Sequence, residues 1–193
     1  MKENIYNLPN FISAYRMAMF PVILFFALYN YINYFTLFIC INLVADILDG
    51  WIARKFNLET KFGAQLDSLA DFGTYIMAIF GIFKFKWSDI QNDFRPLFLF
   101  IAIYLVSLLV GWVRFKKMPG LHLYSCVATA YIQGFFFFVL FVLGFNYSIY
   151  LCSMLFGTLA YLEKSIVLFK LKDINSTSKG LYWMLRKEKK ILE

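Results

Sequence analysis

The sequence predicts an all-α membrane protein, a polytopic bundle of about six transmembrane helices with an N-terminal interfacial segment. Of its 193 residues, 61% are hydrophobic and 16% are charged, whereas a soluble domain is roughly 45–50% apolar and about 25% charged. Six apolar stretches also approach the ~20 residues that a bilayer-spanning helix needs. They lie near 13–30, 34–55, 63–83, 95–114, 122–144 and 148–170.

The connections between these stretches are short, which favours antiparallel neighbours in one bundle. We therefore predict a single membrane domain over residues 1–193. Before the first stretch, residues 1–12 carry apolar side chains at helical spacing interrupted by Pro9, which indicates a short interfacial segment. After the last stretch, residues 173–193 interleave basic and apolar residues, which predicts a basic surface tail on anionic membrane lipid.

The basic residues predict the orientation of the bundle. Sixteen of the nineteen fall on one side of the predicted bundle, and three fall on the other. The sixteen lie at the N-terminus, at Arg16 and Arg54 near the ends of the first two stretches, in the 55–62 and 114–122 loops, and from Lys164 onward. The positive-inside rule then places both termini in the cytoplasm. In a membrane protein, the net charge of +7 indicates cytoplasmic loops and lipid headgroups as its partners and does not indicate nucleic acid.

Four carboxylates interrupt the second and third stretches, at Asp46, Asp49, Asp67 and Asp71. A charged side chain at bilayer depth costs roughly 2.5–3.5 kcal/mol on insertion scales, so four of them require a shared counter-charge. The spacings i, i+3 and i, i+4 place each pair on one helix face. Hard oxygen ligands with room for phosphate oxygens suit Mg²⁺ or Mn²⁺.

Small and basic residues accompany the carboxylates. Gly50 and Ala53 keep the second stretch slim, so that a ligand could approach its backbone. Arg54 follows one turn after Gly50 and offers a bidentate grip on a diphosphate. Gly63 lies between the two carboxylate pairs, after a polar run at 57–61.

Together these residues form the pattern D-x2-D-G-x2-A-R-x8-G-x3-D-x3-D, from Asp46 to Asp71. This pattern closely resembles the signature of the CDP-alcohol phosphatidyltransferases. The resemblance implies a membrane enzyme of phospholipid biosynthesis, which moves a phosphatidyl group from a CDP-linked lipid, typically CDP-diacylglycerol, to a small alcohol acceptor and releases CMP. It also implies a homodimer. The positive-inside rule places the aspartate motif, and with it the active site, in the cytoplasm beside both termini.

The resemblance assigns roles to the motif residues. Asp46, Asp49 and Asp67 are expected to bind two Mg²⁺ or Mn²⁺ ions. Asp71 is expected to act as the general base on the acceptor hydroxyl and to contact a metal as well. The CDP and diphosphate contacts are expected from the remaining motif residues, Gly50, Ala53, Arg54 and Gly63.

The acceptor alcohol stays open between serine, inositol phosphate, glycerol phosphate and others. Family members that use glycerol 3-phosphate commonly have Pro and then Lys around the last two aspartates, where this chain has Ser68 and Phe72. This run looks more like that of serine-using members, although residues 73–75 depart from their usual pattern. Acceptor binding is predicted for a group of cations and the single histidine, namely Arg16, Arg114, Lys116 and His122. The alternatives are that the cations only set topology and that His122 is structural.

Three other functions are consistent with parts of this sequence. A cation-coupled transporter also uses intramembrane carboxylates, but it predicts them on several helices near the middle of the bilayer. A prenyl transferase also binds diphosphate through aspartates, but its acidic runs usually begin with adjacent acids. A non-catalytic relative that binds nucleotide or lipid would keep the motif without the reaction.

Overall fold

The computed structural model describes residues 6–116, 123–171, 180–182, 184 and 186. These ranges contain helices and no strand, which confirms the predicted all-α class. Within the described ranges, six helices are long and apolar enough to cross a membrane, as predicted, and the chain is an integral membrane protein. They run Leu8–Leu28, Ile32–Lys55, Phe62–Asp93, Arg95–Phe115, Tyr124–Leu143 and Tyr147–Lys170.

The chain divides into two compact units, Met1–Gln91 and Asn92–Glu193. The first contains α1 (Leu8–Leu28), α2 (Ile32–Lys55), α3 (Lys61–Gly81), a π-helical turn (Ile82–Lys86) and the short α4 (Trp87–Ile90). The second contains α5 (Arg95–Phe115), α6 (Tyr124–Phe138), a π-helical turn (Val139–Leu143) and α7 (Tyr147–Lys170). A 3₁₀ turn, Gln91–Asp93, precedes α5. The single-domain interpretation stays a prediction.

The first helix begins earlier than the sequence suggested. We expected a separate interfacial segment over 1–12, but Leu8 to Ile12 form the first turns of α1. Pro9 does not interrupt this helix, because N–H groups in the first turn have no hydrogen-bond partner within the helix and the N–H that proline lacks is not needed there. The side chain of Asn7 caps the helix by accepting a hydrogen bond from the backbone N–H of Asn10 at 3.0 Å.

The second and third helices are joined by a short turn with defined ends. Arg54 and Lys55 lie in the last turn of α2, where positive charge complements the helix dipole. Thr60 then caps α3 by accepting a hydrogen bond from the N–H of Gly63 at 2.9 Å. The third span continues to Asp93, ten residues past the predicted end. The sequence predicts an end at residue 83 because Lys84 and Lys86 interrupt the apolar run. Both lysines instead lie within the π-helical turn, so the helical backbone continues through them.

In the first unit, α1 packs against both α2 and α3. α1 and α3 run in the same direction, because Asn10 lies by Gly63 and, further along, Phe20 lies by Gly73. A Cβ atom at Gly73 would be 2.1 Å from the Phe20 ring, so the absence of a side chain at Gly73 makes room for that ring between α1 and α3. Such small-residue contacts are the usual way in which membrane helices pack. α2 runs antiparallel to α1, which leaves the end of α2 and the start of α3 beside the start of α1.

In the second unit, α5 and α7 run in parallel and α6 runs antiparallel to α7. The three helices meet at Gly157, where a Cβ atom would be 2.4 Å from Gln133 Nε2 and 2.8 Å from the Phe100 ring. At one end, the buried hydroxyl of Tyr150 accepts a hydrogen bond from the N–H of Leu97. It donates to the carbonyl of Asp93. The Tyr150 side chain therefore supplies hydrogen-bond partners for backbone groups at the start of α5 that have none within the helix.

The described part of the predicted basic tail also packs on the second unit. Leu181 and Met184 contact an apolar cluster of Leu123, Val167 and Leu168. The N–H of Leu181 donates to the carboxylate of Glu163 at 2.8 Å. Apart from 180–182, 184 and 186, residues 173–193 lie outside the described ranges, and the membrane contact of the tail stays a prediction.

A buried amide on α2 leads to a stability prediction. Asn42 is 1% exposed, and neither Nδ2 nor Oδ1 has a hydrogen-bond partner within the described ranges. A buried polar group without a partner costs about 1–3 kcal/mol. We therefore expect Asn42→Leu to raise the thermal unfolding temperature of the detergent-solubilised protein, and the exposed Asn33→Leu to leave it unchanged. A lower unfolding temperature for Asn42→Leu would show that the amide is hydrogen-bonded in the folded protein.

Candidate active site

Three helices bring the four motif carboxylates together in the first unit. Asp46 and Asp49 lie one turn apart on α2, and Asp67 and Asp71 lie one turn apart on α3. Both pairs face α1, which presents Arg16 between them. We refer to Asp46, Asp49, Asp67 and Asp71 as the aspartate cluster.

Arg16 contacts every member of the aspartate cluster. Its Nη1 atom lies 2.7 Å from Asp46 Oδ1, 3.5 Å from Asp49 Oδ2 and 3.2 Å from Asp67 Oδ1. Its Nη2 atom lies 2.9 Å from Asp71 Oδ1. We predicted that Arg16 would bind the acceptor, and the structure places its guanidinium group at the centre of the carboxylates.

The cluster is buried on one side and open on the other. The side chain of Arg16 is 1% exposed and that of Asp49 is 3% exposed. Asp46, Asp67 and Asp71 are 28%, 24% and 38% exposed. A ligand can therefore reach the outer three carboxylates, while the guanidinium group forms the floor beneath them.

The carboxylates fit a divalent metal. Asp46, Asp49 and Asp67 each offer one oxygen atom, and these three atoms lie within 4.8 Å of one another. Carboxylate oxygens are the ligands that Mg²⁺ and Mn²⁺ prefer. These are the three residues that the sequence analysis named as the principal ligands, and Asp71 is outside this group of three.

Polar residues that the sequence analysis missed support the cluster from α1 and α3. The hydroxyl of Ser13 donates to Asp49 Oδ2 at 2.8 Å. The hydroxyl of Thr74 accepts from Arg16 Nη2 at 3.4 Å and donates to the Ala70 carbonyl. One signal was available, because Asn10, Ser13 and Arg16 recur every three residues on an otherwise apolar helix.

The predicted CDP-binding residues occupy two different environments. Arg54 is exposed, and a Cβ atom at Gly50 would be 3.4 Å from both terminal nitrogens of Arg54. The guanidinium group of Arg54 therefore lies over Gly50 on α2, and Ala53 is the half-buried residue that precedes Arg54 in the sequence. A Cβ atom at Gly63 would be 2.4 Å from Asn10 Oδ1, so Gly63 allows α1 and α3 to approach. The contacts of these residues with the nucleotide stay predictions.

The other predicted acceptor residues belong to the second unit. Arg114 donates a hydrogen bond to the carbonyl of Phe169, which links the ends of α5 and α7. Lys116 ends α5 in a left-handed conformation, with φ of 57°, and its ammonium group lies 6.0 Å from the Trp112 ring. His122 lies outside the described ranges. Acceptor binding by these three residues stays a prediction.

Comparison with known proteins identifies the family. The sequence matches the CDP-alcohol phosphatidyltransferase family over residues 6–163, which covers the first unit and most of the second. The chain belongs to the CDP-alcohol phosphatidyltransferase family. The aspartate cluster thus contains the four acidic residues of the signature that the sequence analysis recognised.

Relatives of this CDP-alcohol phosphatidyltransferase family member come from bacteria and a yeast. The chain is 30% identical to a CDP-diacylglycerol--glycerol-3-phosphate 3-phosphatidyltransferase of Aquifex aeolicus over 132 residues, 66% of this chain and 71% of that protein. It is 42% identical to the enzyme of that name in Rickettsia bellii over 71 residues, 34% of this chain and 38% of that protein.

A third relative is a fusion protein of Schizosaccharomyces pombe named cardiolipin synthase (CMP-forming) / mitochondrial hydrolase. The chain is 31% identical to it over 120 residues, 62% of this chain. The matched stretch spans a fifth of the fusion protein's length and well under half of the Rickettsia protein's. No solved structure matches the chain of this family member.

Proposed function

We propose that the protein transfers a phosphatidyl group from CDP-diacylglycerol to an alcohol. The acceptor oxygen bonds to the lipid-linked phosphorus of the donor, the bond from that phosphorus to the CMP oxygen breaks, and CMP leaves. The observation that carries this proposal is the convergence of all four signature aspartates in one partly exposed cluster, in a chain that belongs to this family.

Asp46, Asp49 and Asp67 would hold the divalent metal, as Mg²⁺ or Mn²⁺. Two bound ions would neutralise the diphosphate and align the attacking and leaving oxygens. The protein's own contribution is to position the reactants and to stabilise the charge that develops on CMP. Arg54, exposed over Gly50, is suited to hold the diphosphate at the rim of the cluster.

We assign the role of general base to Asp71. It is the most exposed of the four carboxylates, at 38%, so an incoming hydroxyl can reach it. A carboxylate is a weak base for an alcohol, but proton transfer is needed only as the new P–O bond forms. The hydroxyl proton passes to Asp71, and Arg16 Nη2, 2.9 Å away, keeps the carboxylate oriented.

Glycerol 3-phosphate is the first acceptor that we propose to test. Two of the relatives described above carry this acceptor in their names. Ser68 and Phe72 stand where such enzymes commonly have Pro and Lys, so a phosphate on the acceptor would need other cations. Arg114 and Lys116 are the proposed sources, because Arg16 lies buried against the four carboxylates. The site and both termini are proposed to face the cytoplasm.

The deciding experiment measures CMP release from CDP-diacylglycerol by the purified protein in liposomes. The acceptor panel contains glycerol 3-phosphate, serine, inositol phosphate and phosphatidylglycerol, each with Mg²⁺ or Mn²⁺. We expect release that depends on one acceptor and that is lost with a chelator or in Asp71→Asn. An absence of both CMP release and metal-dependent donor binding would reject the transferase and favour an ion-transport role for the aspartates.

A further inference from the structure

One feature of the site is not explained by metal binding, namely the position of Arg16. Its Nη1 atom lies within 3.5 Å of Asp46, Asp49 and Asp67. The same three carboxylates supply the oxygens that could hold a metal ion. Mg²⁺–oxygen distances are about 2.0–2.1 Å, so an ion held by all three carboxylates would lie among their oxygens, beside Nη1. Two cations that close together repel each other.

The charge balance explains why a cation is built into this position. The aspartate cluster carries four formal negative charges, and Arg16 lies in contact with all four side chains. Arginine stays protonated in proteins, and the side chain of Arg16 is 1% exposed. A buried ion that loses its partners is strongly destabilising, so without metal the carboxylates and the guanidinium group depend on each other.

We propose that Arg16 is the built-in counter-cation of the aspartate cluster, and that it withdraws from Asp46, Asp49 and Asp67 when a divalent metal binds there. The proposal rests on the metal role assigned under the proposed function. The contacts of Nη2 with Asp71 and Thr74, at 2.9 and 3.4 Å, involve none of the three proposed ligands. Nη2 of Arg16 can therefore stay hydrogen-bonded to Asp71 and Thr74 on α3 while Nη1 moves away from the three ligands.

The exchange predicts opposite effects on two measurable quantities. Removal of the guanidinium group leaves the metal-free carboxylates without their counter-charge, so the metal-free protein becomes less stable. The same removal takes away the competitor for the carboxylate oxygens, so metal binds more tightly. A residue that merely positions the carboxylates for metal would instead weaken metal binding when it is replaced.

The test uses the full chain, purified in detergent, and its variants Arg16→Gln and Arg16→Lys. Lys55→Gln serves as the matched control, because it removes one positive charge from the exposed end of α2. Mn²⁺ binding is followed by the electron paramagnetic resonance signal of free Mn²⁺. Thermal unfolding is measured in chelator and in saturating Mn²⁺, so neither readout depends on the reaction.

We expect Arg16→Gln to bind Mn²⁺ about tenfold more tightly than the wild type, which corresponds to about 1.4 kcal/mol. Its unfolding temperature should fall in chelator and recover in Mn²⁺, whereas Lys55→Gln should match the wild type in both. Arg16→Lys keeps the positive charge but lacks the bidentate guanidinium group. It should therefore tighten Mn²⁺ binding by a smaller factor than Arg16→Gln. That variant provides the measurement if Arg16→Gln fails to fold.

Two results would overturn the proposal, and they can be told apart. In the first, the wild type binds Mn²⁺ and the Arg16 variants bind it equally well or more weakly. This result would reject the exchange but would leave the metal role of the aspartates intact. Wild-type protein that binds no Mn²⁺ would reject the metal role of the aspartates, and the exchange with it.

Discussion

Replacing Asp49 by Asn should reduce acceptor-dependent CMP release by about a thousandfold. Asp49 is the most deeply buried of the proposed metal ligands, so no water can easily take over the place of its carboxylate. A metal ion contributes several kcal/mol of charge stabilisation to a transition state, and each 1.36 kcal/mol corresponds to a factor of ten in rate. Asn keeps the size of the side chain and an oxygen that can accept the hydrogen bond from Ser13.

The matched control is Asp89→Asn. Asp89 is an exposed carboxylate on α4, outside the aspartate cluster, and its replacement should leave the rate unchanged. Initial rates are compared over a range of Mn²⁺ concentrations, so that weaker metal binding is separated from a lower rate at saturation. An Asp49→Asn variant as active as Asp89→Asn would exclude Asp49 from the metal site.

The substitution Gly73→Ala should destabilise the folded protein by about 1–3 kcal/mol, as expected for overpacking. The added methyl group would lie 2.1 Å from the Phe20 ring, so the ring would have to move from its place against α3. Arg16 lies one turn before Phe20 on α1, and the shift should therefore also disturb its contacts with Asp67 and Asp71. The measurement is the thermal unfolding of the purified protein in detergent.

Gly134→Ala is the control for this prediction. A Cβ atom at Gly134 on α6 would meet no other atom within 4 Å in the described part of the chain. Ala is favoured over Gly inside a helix by about 1 kcal/mol, so this variant should be as stable as the wild type or slightly more stable. Equal unfolding temperatures for the two variants would contradict the close contact between the Phe20 ring and Gly73.

The fold was largely predictable because its spans are long and strongly apolar. Errors occurred where a local signal was ambiguous. Pro9 suggested an interruption, but it occupies the first turn of α1, where proline is tolerated. Lys84 and Lys86 suggested an end, but backbone hydrogen bonding continues through them in a π-helical turn. Helix boundaries depend on such local hydrogen bonds, which hydropathy does not report.

The site was predictable only in part. The spacing of the four aspartates within α2 and α3 fixes which face each pair occupies, so their convergence could be predicted. The location of Arg16 could not, because spacing along one helix does not tell which neighbouring helix it faces. Arg16 and Asp71 are 55 residues apart in the sequence, and their contact depends on the parallel packing of α1 and α3.

The position of Arg16 also has a consequence for how the protein is made. Arg16 is synthesised before all four of its partners, since Asp46, Asp49, Asp67 and Asp71 follow it in the chain. A lone arginine in a membrane segment costs roughly 2.5–3.5 kcal/mol on insertion scales. The first helix therefore enters the membrane with an unneutralised charge, and that cost falls when the second helix brings Asp46 and Asp49 beside Arg16. A nascent chain that stops after the second helix thus already has a counter-charge for Arg16, and the third helix adds the contacts with Asp67 and Asp71.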